Sequence, residues 1–189
     1  LTRKLAYPAW LPSLVKYLEE RLSQPGKLTI IMGGGTHDPP HPEDATRFLG
    51  IERDILFHDS HDDASLQKAG RTLRGTEVTL NRLALEADLI IATGAVTYHY
   101  FAGFTGGAKA VFPGLGGFDS VIANHSLSID KTTGKFAEGV LPGSEDENPV
   151  FADILEAVSF CPPIFLVNTV VTPDWQISRF FCGELRTAH

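Results

Sequence analysis

The stretch "LIIATGAV" (residues 89–96) carries no charge and is apolar but for Thr93 and Gly94. A short uncharged run of this kind reads as a strand buried within a sheet, not one that alternates between core and solvent. Working outward, "KLTIIMGGG" (27–35) is a strand running into a glycine turn, and "DILFH" (54–58) is another. "TEVTLN" (76–81) alternates, and "IFLVNTVVT" (164–172) and "ISRFFCG" (177–183) complete the set. Helical spacing fills the intervals. In residues 10–26, Leu11, Leu14, Val15, Leu18 and Leu22 recur at three- and four-residue steps until Pro25-Gly26 stops them. "PEDATRFLG" (42–50), "HDDASLQKAG" (61–70), "RLALEAD" (82–88), "FDSVIANHSL" (118–127) and "VFADILEAV" (150–158) are read as further helices, and residues 140–149 as a polar loop. The alternation predicts an α/β fold, a layered sandwich with a mostly parallel sheet and helices on both faces. Sheets of that type bind ligands beyond the carboxyl ends of their strands, so the loops there hold the candidate sites.

Composition narrows the function classes. The 189 residues are 43% hydrophobic, with 16 basic against 23 acidic side chains and a net charge of −7. No basic block exists to hold nucleic acid, and no apolar run approaches a membrane span. Cys161 and Cys182 stand without a CxxC spacing, the pattern of buried thiols in a reducing compartment, and the protein is read as cytoplasmic. The chain opens on Leu1-Thr2-Arg3 without a methionine, which is read as the mark of a fragment.

Four stretches carry chemistry. "GGGTHDPPHPED" (33–44) follows a strand, and Asp38 breaks the dinucleotide fingerprint, so His37 is left as either a site residue or a surface histidine. His41, between prolines, reads as exposed. "HDSHDD" (58–63) offers His58, His61 and three aspartates, but its spacing fits no zinc pattern, and acids capping the next element explain it as well. "HYFAGFTGGAKAVFPG" (99–114) places Thr105, Gly106 and Gly107 just before Lys109. Backbone amides there could nest a phosphate, yet this is no Walker loop, because Ala108 precedes the lysine and no Ser or Thr follows it. Crowding by Phe101, Phe104, Val111 and Phe112 should desolvate Lys109 and favour a nucleophilic amine, against the plain alternative of a lysine snorkelling from a helix end. His125 in "ANHSLS" (123–128) reads by itself as a core histidine.

Taken together, "LTR", "GGGTH", "HYFAGFTGGAK" with its following "PG", and the "NH" at 124–125 resemble the N-terminal domain of the lactate racemase family, with similarity continuing to "FFCGELRTAH" at the end. The intervals of ten residues from His99 to Lys109 and sixteen from Lys109 to His125 make the resemblance specific. It implies a racemase or epimerase of 2-hydroxy acids working by hydride transfer through a 2-keto acid. The cofactor would be a nickel-pincer nucleotide joined covalently to Lys109 through a thioamide, with Thr105, Gly106 and Gly107 around it and His125 as the nickel ligand. His37 and His99 would be acid and base on the two faces of the substrate, and Arg3 would help hold it. Imidazole suits nickel, and two histidines suit a proton that must leave from either stereochemical side.

Departures from the family pattern matter. "THDPP" replaces the more usual Thr-His-Arg-Pro, putting the Asp38 carboxylate where a cation is common. The aspartate of the family's Asp-x-Thr-Arg motif would fall before Leu1, outside these 189 residues. The family's C-terminal domain is not represented, so the 189 residues are read as the cofactor-binding domain alone, with little or no turnover. Two other readings stay open: a non-catalytic nucleotide- or metal-binding module, and a Schiff-base enzyme using Lys109 with pyridoxal phosphate.

Overall fold

The chain is seen in a computed structural model that describes residues 10–22, 28–38, 41–174, 176–185 and 187–188. Its first helix, α1 (Leu11–Arg21), has proline in its first turn, where the missing N–H costs nothing, and buries Leu11 and Val15. α2 (Pro42–Leu49) also starts on proline and stops at Gly50. Between them β1 (Ile31–Met32) lies parallel to β2 (Leu56–Phe57). Leu11, Val15, Leu49 and Ile51 form a small core of their own beneath this pair.

The helix expected over residues 61–70 is a correction. Those residues run through a turn into β3 (Leu66–Arg71), which pairs antiparallel with β4 (Glu77–Asn81). Asp62 accepts the Ala64 amide (3.2 Å), so the acid caps a turn and not a helix. Leu, Gln, Lys and Ala at 66–69 are good helix formers, and tertiary bonds override them. Thr72 and Thr76, at the hairpin end, each donate a hydroxyl to the buried Asp153 carboxylate, at 2.5 and 2.8 Å. The short helix α3 (Arg82–Leu85) follows, capped by the Asn81 side chain.

β5 (Ile90–Ala95) is the strand expected from "LIIATGAV". It pairs in parallel with β8 (Ile164–Val171), and β9 (Ile177–Glu184) lies antiparallel on the other side of β8. The tiny hairpin of β6 (Tyr98–His99) and β7 (Gly103–Phe104) is antiparallel too. The expectation of a mostly parallel sheet is therefore corrected: the described residues form small sheets of mixed pairing. Polarity depends on which segments meet, and local apolarity does not encode it. β8 is central, with Leu166 to Thr169 all buried.

A single 3-10 turn (Gly107–Ala110), then α4 (Phe118–Ser126) and α5 (Pro149–Val158), close the main core. Phe112, Leu80, Ile154 and Leu166 are its largest enclosed side chains. Among the described residues no helix is long and apolar enough to cross a membrane.

Candidate functional site

Phe101 organises the site. It follows β6, is buried, and its backbone carbonyl accepts the Asn148 side-chain amide at 3.0 Å. Its ring meets His99 edge-on at 4.5 Å between centroids and His125 at 4.7 Å. The Lys109 Nζ stands 5.6 Å from the same ring. Three residues singled out in the sequence, on three separate elements, thus share one aromatic wall.

His99 belongs to a three-ring cluster. Tyr100 stacks on its ring at 5.0 Å with planes 10° apart, Phe101 meets it edge-on, and Tyr100 and Phe101 themselves lie 4.6 Å apart. Its Nδ1 accepts long bonds from the amides of Ala102 (3.3 Å) and Phe101 (3.5 Å). A neutral ring with Nδ1 as acceptor carries its proton on Nε2.

His125 sits in the last turn of α4. The preceding Asn124 donates to Val150 O (3.1 Å) and Asp153 Oδ2 (2.9 Å), which ties α4 to α5. The His125 Nε2 is buried and accepts or donates no hydrogen bond to the described residues. Burial first, then the positive charge of Lys109, then that of His37, push its imidazole down from 6.5 to about 4. The ring is therefore neutral at neutral pH and keeps a lone pair for a ligand. A pKa lowered on folding favours the neutral form, so its contribution to stability is present above about pH 6.5 and lost as pH falls through about 4. Allowing for partial exposure, the loss is on the order of 2 kcal/mol. Denaturant unfolding of the apoprotein between pH 7 and pH 4 should show it, and His125→Gln should flatten that dependence; an unchanged slope would show that the ring takes no part.

Lys109 is placed by the glycine turn. Thr105 bolts the turn to the end of β5, its hydroxyl donating to Ala95 O (2.7 Å) and accepting the Thr97 amide (2.9 Å). Gly94 in β5 lets the turn come close, since a Cβ there would stand 2.8 Å from the Gly106 Cα. Gly106 itself has φ of 76°, a backbone that suits only glycine well. The Gly107 amide, a candidate phosphate donor by sequence, is engaged within the protein by Asn168 Oδ1 at 3.0 Å.

His37 reaches this neighbourhood through backbone packing. The Gly35 amide donates to Gly114 O (3.0 Å), and a Cβ on Gly33 would stand 2.8 Å from that oxygen, so the loop after β1 lies against the end of the 99–114 segment. His37 is exposed, and its charge is felt at His125. Arg3 lies outside the described residues.

The other histidines take ordinary roles. His58 is buried, its Nε2 2.9 Å from Gly116 O and its Nδ1 3.4 Å from the Asn81 side chain. His61 stacks on Phe118 at 4.4 Å, and His41 is exposed. Among the described residues no cluster of three or more His, Cys, Asp or Glu side chains could hold a metal, the "HDSHDD" stretch included. Burial pushes the Cys161 thiol up to about 11, as for an inert core cysteine.

Sequence reasoning missed the supporting amides. Asn148 caps α5 by accepting the Val150 and Phe151 amides at 3.0 and 3.2 Å while it fixes Phe101. The order Asn-Pro ahead of a helical run was its signal. Asn168 was signalled only by being the one strongly polar side chain in the run "IFLVNTVV".

A family model described as lactate racemase N-terminal domain matches residues 1–135. The lactate racemase of Lactiplantibacillus plantarum is 30% identical over 184 residues, covering 94% of this chain and 42% of that protein. That of Thermoanaerobacterium thermosaccharolyticum is 28% identical over 193 residues, covering 100% of this chain and 44% of that protein. The solved lactate racemase apoprotein from the same organism superposes with a TM-score of 0.88 at 26% identity, over 100% of this chain and 45% of that one. A crystal structure of a Thermotoga maritima protein gives 0.74 at 19% identity, over 98% of this chain and 49% of the other, a likeness of fold alone. The chain spans less than half the length of the curated relatives it matches.

Proposed function

The chain belongs to the lactate racemase N-terminal domain family, and on that premise we propose that it is the cofactor-binding part of a nickel-pincer nucleotide-dependent racemase or epimerase of 2-hydroxy acids. The observation that carries the reading is the buried His125 Nε2, which has no hydrogen-bond partner among the described residues and lies within electrostatic reach of Lys109. An orphaned, neutral imidazole nitrogen is a ligand that suits a borderline divalent metal, and nickel accepts imidazole readily. The residues present therefore fit the group: His125 would hold the nickel, Lys109 the nucleotide, and the turn at Thr105, Gly106 and Gly107 would shape the cradle.

When bound, the cofactor supplies a reversible hydride acceptor for the substrate carbon, with a 2-keto acid between the two enantiomers. The chain's own residues do the rest. His37 and His99 are the proposed proton carriers for the substrate hydroxyl, and His99, pinned at Nδ1, holds its proton on Nε2. Phe101 and Tyr100 fix the His99 ring and exclude water from one side of it. Arg3 is the proposed partner of the substrate carboxylate.

We extend the reading to a cytoplasmic protein, supported by Cys161 and Cys182, both free thiols. Full turnover is expected to need the part of the relatives' length that these 189 residues do not span. Lactate, larger 2-hydroxy acids and sugar acids share the chemistry that this half recognises.

The test is the intact mass and nickel content of the protein isolated from a host that builds the pincer nucleotide. An adduct of nucleotide mass with about one nickel per chain is the expected result. An unmodified mass with no nickel overturns the reading.

A further inference from the structure

We propose that Asn168 is a positioning residue for Lys109: its side-chain amide fixes the glycine turn that presents the lysine. This rests on the cofactor reading above. Asn168 lies in β8, opposite Gly94 of β5 and Phe181 of β9, and it is fully enclosed. A polar side chain buried in the middle of a strand is costly unless every group finds a partner. Both groups do. Oδ1 accepts the Gly107 amide at 3.0 Å, and Nδ2 donates to Ala188 O at 3.0 Å.

The junction is built around that bond. Gly94 and Gly106 bring strand and turn together, and a Cβ on Gly106 would stand 3.2 Å from Asn168 Oδ1, at the limit of tolerance. The bond enters the turn two residues before Lys109, whose own amide donates to Gly106 O at 3.1 Å. Fixing Gly106 and Gly107 therefore fixes where the Lys109 side chain begins. No residue of other chemistry could replace Asn168 here, because the site needs one acceptor and one donor on a short planar group. Aspartate keeps the shape and the acceptor but turns an oxygen towards Ala188 O. The same side chain ties the turn to the Ala188 carbonyl, so a disturbance there reaches the lysine.

The experiment compares the adduct fraction by intact mass in wild type, Asn168→Asp and Thr169→Val, each isolated from a host that makes the nucleotide, with folding checked by circular dichroism and thermal unfolding. Thr169→Val removes a buried bond to Gly94 O (3.2 Å) from the same strand without touching the turn amide, and so reports purely structural weakening. A displacement of the turn should cut the adduct fraction about tenfold or more in Asn168→Asp, while Thr169→Val keeps it. A folded Asn168→Asp with the wild-type adduct fraction overturns the proposal, and so does equal loss in Thr169→Val. Should Asn168→Asp not fold, Gly94→Ala, which pushes the turn from β5, takes its place: loss of adduct in a folded protein supports the assignment and full retention overturns it. Wild type without adduct is a different outcome, since it removes the cofactor reading and this inference with it.

Discussion

Lys109→Ala is expected to leave the protein folded and to abolish the nucleotide adduct entirely, with nickel lost alongside. The side chain is half-buried, so its removal should cost about 1 kcal/mol of packing, too little to unfold an ordinary domain. The chemistry, in contrast, has no substitute. The amine sits beside the Phe101 ring at 5.6 Å and within electrostatic reach of the neutral His125. Lys68, whose side chain is exposed on β3 and paired with Glu77 at 2.5 Å, has no such surroundings and serves as the control. The comparison also separates the competing readings. An ion held by histidines alone would survive Lys109→Ala, so retained nickel would point to a metal-binding module. A Schiff base with pyridoxal phosphate would also vanish in Lys109→Ala, but in wild type it would be trapped by borohydride without nickel. Removing the Lys109 charge should further let the His125 imidazole rise from about 4, readable by an NMR titration of the apoprotein.

How much of this was legible in the sequence depends on the range over which each signal acts. α1 and α5 announced themselves because their apolar spacing is a local property, and so did β5 and β8 as apolar runs. Residues 66–71 misled because their helix-forming side chains are overruled by Asp153, which reaches Thr72 across 81 positions. The direction of each strand pair was beyond reach for the same reason. At the site, the spacing of His99, Lys109 and His125 was visible but meaningless by itself, and only the family resemblance turned it into a constellation. The structure adds what spacing lacks, a common wall at Phe101. Asn168 stayed hidden because its partner at Gly107 is 61 positions away, and a lone asparagine in a strand says only that some partner exists.

That common wall makes Phe101→Ala a truncation that should disturb both the core and the site. Removing a buried phenyl ring typically costs about 3–5 kcal/mol, enough to bring a domain of ordinary stability near its threshold. Packing is only part of the effect. The ring faces His99 and His125 edge-on, at 4.5 and 4.7 Å, and lies under the Lys109 ammonium, each contact worth roughly 0.5–1.5 kcal/mol beyond area. Backbone rearrangement is not the cause, because Asn148 holds the Phe101 carbonyl whatever side chain follows. Phe101→Leu separates the two contributions. Leucine refills most of the volume and should recover the greater part of the stability, but it offers neither an aromatic edge nor a π face. Denaturant unfolding should therefore rank wild type above Phe101→Leu above Phe101→Ala. Adduct and nickel content should fall in both variants, since His99, Lys109 and His125 lose the surface that sets their mutual orientation. If Phe101→Leu instead held wild-type nickel and adduct, the ring would be a core residue that merely happens to lie between them, and the site would have to be organised from the backbone of α4 and the glycine turn alone.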